Sequence, residues 1–176
     1  MKHTISPKNV FAGVLALFLA VSMLTACGGG GDPNEKEAKV LTKQNMESRG
    51  YDAPSATVRA FFEALAAGKM QVVESMVEAD NLPIARRYIS TCIERYESIW
   101  IAPNSYMMGE GNMAAVDYAT NRLGYTREVV LLIKNGDVWK IRFQDTGAQY
   151  ATSIPDEISD KNTELFVKDE YVVNLK

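Results

Sequence analysis

The sequence predicts an α+β fold in which three helices precede an antiparallel sheet. Three observations carry this. Apolar residues recur at helical spacing from Val58 to Ile99. After Pro103 the apolar pattern shortens to alternate residues. Asn135-Gly136 then stands between two alternating runs, and a two-residue hairpin turn favours such a pair because both turn positions need positive φ.

Each element follows from its own signals. Ser55 is the expected N-cap of a first helix whose face carries Val58, Phe61, Phe62 and Leu65. Gly68 is its expected left-handed stop. A short second helix has Met70, Val73, Met76 and Val77 as its apolar side. Pro83 sits where a first helical turn accepts proline. The third helix is expected from about Ile84 to Ile99, with Ile84, Tyr88, Ile89, Cys92, Ile93, Tyr96 and Trp100 as one stripe. Ser105–Met108, Met113–Thr120, Tyr125–Lys134 and Val138–Gln144 read as strands. A turn at Asn135-Gly136 sets Lys134 opposite Asp137, Leu132 opposite Trp139, Val130 opposite Ile141 and Glu128 opposite Phe143. Leu132, Val130, Trp139, Ile141 and Phe143 then share the face expected against the helices. The other face, with Val129, Leu131 and Ile133, is half apolar and needs a cover. The C-terminal tail, a second subunit or a ligand can supply it, and Tyr171-Val172-Val173 is an apolar segment in that tail.

The first residues address a different question. MKHTISPK carries Lys2 and Lys8 and no acid, and Val10–Leu24 is almost wholly apolar. This is the basic start and apolar core of a secretory signal, and it is shorter than the roughly 20 residues of a membrane span. Leu24-Thr25-Ala26-Cys27 resembles the lipobox of bacterial lipoproteins. That resemblance implies removal of residues 1–26 and acylation of Cys27 in the cell envelope. Gly28 in the second mature position implies the outer membrane, with the domain facing the periplasm. Gly28–Gly31 and the polar run after it bury little apolar surface, so residues 27–50 are expected to be a flexible tether, within which 35–48 can form a short helix with Val40 and Leu41. About 25 such residues span on the order of 30 Å.

Composition narrows the chemistry. The chain has 176 residues, 19 basic and 22 acidic. Loss of Lys2 and Lys8 leaves 17 basic against 22 acidic, a formal charge of −5. An acidic chain without a basic cluster argues against nucleic acid and against surface binding to anionic lipid. The single histidine is His3, so the mature chain has neither a Ser-His-Asp nor a Cys-His arrangement, nor an imidazole metal site. Cys92 is then the only free thiol, with no disulfide partner within the chain. Glycine-rich nucleotide loops and calcium-loop patterns are absent from the sequence. No cofactor or metal is expected.

The stretch SATVRAFFEALAAGKMQVVESMV and the hairpin Gly136-Asp137-Val138-Trp139-Lys140-Ile141 are similar to the two ends of an NTF2-like (cystatin-like) lipoprotein-associated domain family. The resemblance covers roughly residues 52–146. It implies a cone in which three helices pack on a curved antiparallel sheet, placed here at residues 51–146. It leaves 147–176 as a C-terminal extension packing on or near the sheet. The shared motifs are core residues and a turn, and a fold by itself confers no activity.

Some relatives of that superfamily are isomerases that work with an Asp base and a tyrosine in place of histidine. The groups here that could serve such a pocket are Asp117, Tyr118, Tyr88 and Tyr96. Asp117 alternates with Ala115 and Ala119 and can line a cavity, although a carboxylate pointing to water is the plainer reading. Cys92 on the apolar stripe reads as a small core hydrophobe. Arg86, Arg87 and Arg95 read as a solvated helix face, and Met70, Met76, Met107, Met108 and Met113 as packing. The function expected is a lipid-anchored envelope protein with a non-catalytic binding role, toward a protein partner or a small apolar ligand. The alternative is a His-independent isomerase- or dehydratase-like enzyme using Asp117 with a tyrosine. A homodimer across the sheet face through Leu131 is a third possibility.

Overall fold

The computed structural model describes residues 31–120, 126–143, 154–166 and 168–176. The expected signal peptide, Cys27 and Gly28 lie outside the described residues, as do 147–153 of the C-terminal extension. Among the described residues no helix is long and apolar enough to cross a membrane.

The α+β class holds, with helices packed on a curled antiparallel sheet. The first helix, α1 (Pro33–Arg49), corrects the expected tether. Asp32 caps it by accepting from Asn34 N at 2.9 Å, Pro33 opens it, and Gly50 closes it at φ 69°. Its composition is polar, yet Ala38 is buried, Leu41 packs on the core, and Asn45 is only 4% exposed. Asn45 Nδ2 donates to Glu63 Oε2 at 3.0 Å. A narrow inward stripe at i, i+3 and i+7 is enough to dock a helix that the mean polarity hides.

Helices α2 (Ala53–Ala66), α3 (Met70–Ser75) and α4 (Leu82–Arg95) follow. The cap of α2 is Asp52 rather than Ser55. Its Oδ1 accepts from Ser55 N at 2.9 Å, while Oδ2 accepts from Ser105 N and Oγ at 2.6 and 2.7 Å. One carboxylate thus caps a helix and pins a distant loop. Gly68 adopts φ 70° after α2. The third predicted helix ends early, at Arg95, because Ser98–Ile101 forms a strand, β1. Trp100 therefore leaves the helical stripe for the sheet, and Ile93 faces out at 49% exposure.

The remaining strands are β2 (Tyr106–Met108), β3 (Met113–Thr120), β4 (Thr126–Asn135), β5 (Val138–Arg142) and β6 (Val172–Asn174), with α5 (Asp156–Leu165) before the last. The sheet order is β5-β4-β3-β1-β6, with β2 also on β3. β1 and β2 run along the same edge of β3, interrupted at Ala102–Ser105, and such an interruption bends a sheet. The β4–β5 hairpin pairs Leu132 with Ile141 and Lys134 with Trp139, with Gly136-Asp137 rather than Asn135-Gly136 between the paired residues. Moving the turn by one residue moves the pairing by two. The expected faces survive because side chains alternate with period two.

Both faces of the sheet are covered. Val116, Tyr118, Val130, Leu132 and Ile141 join the main core with Phe61, Phe62 and Ile89. On the other face Ala115 and Leu131 pack with Ile154, and Ala119 packs with Phe166. The chain's own tail thus covers the half-apolar face. Leu131, 4% exposed, packs with Ala115 and Ile154 of its own chain.

The tail is fastened by a buried cation. Arg59 on α2 is 3% exposed. It donates to Glu63 Oε1 (2.8 Å), the Tyr51 hydroxyl (2.7 Å) and the Glu170 and Val172 carbonyls (both 3.1 Å). At the opposite edge Asn81 mimics a strand. Its Nδ2 donates to Phe143 O at 2.8 Å and its Oδ1 accepts from Phe143 N at 2.7 Å.

Substitutions at Asp52, Ser55 and Arg59 test these contacts. Asp52→Ala removes a cap and two charge-assisted bonds, and chemical denaturation should show a loss of about 2 kcal/mol. Ser55 Oγ is buried with no partner among the described residues, so Ser55→Ala should be neutral or stabilising by up to ~1 kcal/mol. If Ser55→Ala were the costlier change, the capping assignment would be wrong. Arg59→Met should cost about 3 kcal/mol, because Glu63 loses its buried cation while the Tyr51 hydroxyl and two carbonyls lose a donor. Limited proteolysis should then cut first near residues 168–176.

Candidate functional site

Tyr118 on β3 lies directly opposite Glu128 on β4. Both turn toward the helices, where α4 brings Tyr88 and its C-cap brings Tyr96. Three hydroxyls converge on one carboxylate. Tyr96 donates to Glu128 Oε1 at 3.2 Å, and Tyr88 reaches Oε2 at 3.4 Å. Tyr118 donates to Oε2 as well, and the Tyr88 and Tyr118 hydroxyls are hydrogen-bonded to each other. Phe143 stacks on Tyr88 with centroids 4.4 Å apart.

Burial, reinforced by neighbouring groups, keeps Tyr88 and Tyr118 protonated. Burial and the charge of Glu128 push Tyr118 well above the usual tyrosine range. Burial, then the neighbouring Tyr118, does the same for Tyr88. Cys92 lies one helical turn beyond Tyr88 and is fully buried. Burial pushes its thiol up to about 12, against a hydrogen bond with Tyr88 that lowers it. A thiol so protonated is a poor nucleophile, consistent with packing.

The expected site residues do not assemble as a group. Tyr88, Tyr96 and Tyr118 come together, but Asp117 points to the opposite face of the sheet. It is fully buried there, neither facing water nor lining the tyrosine cluster. Asn162 Nδ2 on α5 donates to its Oδ2 at 2.8 Å. Asp117 is thus a tie between sheet and tail helix. Asp117→Ala would disturb the fold, so it does not separate a catalytic role from a binding one. The carboxylate beside the tyrosines is Glu128, and the signal for it was an acid directly before the apolar run Val129–Ile133.

A second concavity was not foreseen. It lies between α1 and the β4–β5 hairpin, closed below by the start of α2 and the end of α3, with a volume of about 300 Å³. Met46, Met76, Val138 and Trp139 supply apolar walls. Lys39 and Lys43 stand at the rim. Lys140, whose side chain is 14% exposed, donates to Glu35 Oε1 at 2.8 Å and to Ser75 O at 2.5 Å. The Lys140 hydrogen bond and charge lower the Glu35 carboxyl below its usual range. Among the described residues no group of histidine, cysteine and carboxylate side chains is placed to hold a metal.

No family model, curated protein or solved structure matches this chain. The site is therefore read from its own geometry.

The tyrosine cluster makes a pH prediction. In the unfolded chain a tyrosine ionises near pH ~10, whereas Tyr88 and Tyr118 hold their protons well past that point in the fold. The unfolded state then loses protons first. Stability from this source is intact below pH ~10 and falls as pH rises above it. Phenolate absorbance from these two residues should appear only as circular dichroism is lost. The Tyr88→Phe/Tyr118→Phe double variant should flatten the alkaline slope. Complete tyrosine titration in a folded protein would contradict the assignment.

Proposed function

We propose that this chain is a bacterial lipoprotein, acylated at Cys27 in the outer membrane, whose NTF2-like domain binds a small apolar ligand without catalysing a reaction. The observation that carries the binding reading is the groove between α1 and the hairpin: apolar walls, a charged rim, and a volume of about 300 Å³. That lies at the lower end of ligand pockets, ~300–1,000 Å³. The tyrosine cluster supports the non-catalytic half of the reading. Its carboxylate is already met at both oxygens by the chain's own hydroxyls. It joins α4 to the sheet as a strut.

The anchor reading rests on Leu24-Thr25-Ala26-Cys27. The NTF2-like reading rests on helices preceding a curled antiparallel sheet.

Two measurements test this. Labelled palmitate should enter the wild-type chain, and Cys27→Ser should remove both the label and the membrane association. Native mass spectrometry of the protein from its own host should show bound small molecule, lost on Thr42→Trp, which fills the groove. An unlabelled wild type would end the lipoprotein reading, and equal occupancy in the filled variant would end the groove reading.

A further inference from the structure

Resting on that groove reading, we infer that the groove takes a long-chain carboxylate, its chain against Met76, Val138 and Trp139 and its head at Lys39 and Lys43. The walls and the rim differ in chemistry, which selects an amphiphile. A compact polar anion leaves the apolar walls uncovered, and a neutral hydrocarbon leaves the lysines unused.

The sign of the head follows from the charges that remain at the rim. Glu35 is engaged by Lys140 at 2.8 Å, and the charge of Lys39 one turn away acts on it more weakly. Lys43 meets Glu47 at 3.5 Å, with both side chains more than two-thirds exposed, and such a pair holds its charges weakly. Lys39 and Lys43 are four residues apart on one helix, so they are neighbours on its face, and both line the groove. Asp137 stands across the groove at the hairpin turn and keeps the net field modest. The mature chain is acidic, so a paired cationic rim is not a product of its overall composition. One carboxylate between two ammonium groups completes it.

Capacity sets the length. A groove of about 300 Å³ lies at the lower end of ligand pockets, which favours a chain of medium length such as that of laurate. Met46 and Met76 are unbranched and adjust to the chain's contour.

The test titrates the full secreted chain carrying Cys27→Ser, which needs no detergent, with laurate, dodecanol and dodecylamine by calorimetry. Laurate should bind saturably, and about tenfold or more tighter than dodecylamine. Lys39→Gln/Lys43→Gln, at exposed positions, should weaken laurate by about tenfold and leave dodecanol unchanged. Thr42→Trp should abolish both, with circular dichroism confirming the fold. Laurate no tighter than dodecylamine, or untouched by the lysine changes, overturns the carboxylate inference. The groove reading then still stands if Thr42→Trp abolishes dodecanol. Absence of binding by all three compounds overturns both.

Discussion

The β3–β4 pair is apolar on both faces, and the rest of the domain is arranged around covering them. One face takes Phe61 and Phe62 from α2 and Ile89 from α4. The other takes Ile154 and Phe166 from the tail. A sheet with one bare apolar face would expose a patch of the kind that drives association. The tail helix removes that patch within one chain. Polar ties fix where each cover sits: Glu128 with three tyrosines on the helix side, Asp117 with Asn162 on the tail side. A buried polar tie contributes little net energy when made and costs much when half-made. It therefore selects one placement of each helix over neighbouring ones.

The two acids illustrate how β geometry separates neighbours. Asp117 and Tyr118 are adjacent in sequence and on opposite faces. Glu128 is distant in sequence and directly opposite Tyr118. A carboxylate–tyrosine site assembled from sequence adjacency was therefore unavailable, while one assembled from cross-strand register was present. Its oxygens already receive the chain's own hydroxyls, so the same atoms that resemble a reactive pocket act as a fastening.

What could be read in the sequence depended on whether the signal was local. The apolar face of α2, the left-handed Gly68 and the hairpin before Trp139 are local and were legible. The hairpin's faces were right although its turn was placed one residue early, because an even slip preserves side-chain direction. Helix α1 was legible only as an optional short helix within a tether, because its inward stripe is only Ala38, Leu41 and Asn45, diluted by charged residues, and Val40 points outward. Its Asp32-Pro33 start and Gly50 stop were visible but outweighed. β1 was missed because Tyr96 and Trp100 also fit helical spacing, and four residues are too few for alternation to dominate. The partnership of Glu128 with Tyr118 depends on β3–β4 register, which no local turn signal fixed.

The pairing of β1 with β6 joins Ser98 to Asn174 and Trp100 to Val172. Arg59, encoded far earlier, binds the carbonyls of Glu170 and Val172. The sheet cannot close, nor can that guanidinium be satisfied, until Asn174 has been synthesised. Contacts of such sequence separation form late and slowly. A nascent chain therefore stays incompletely folded until Asn174 has left the ribosome, and the residues that lock the sheet are made long after the helix that binds them.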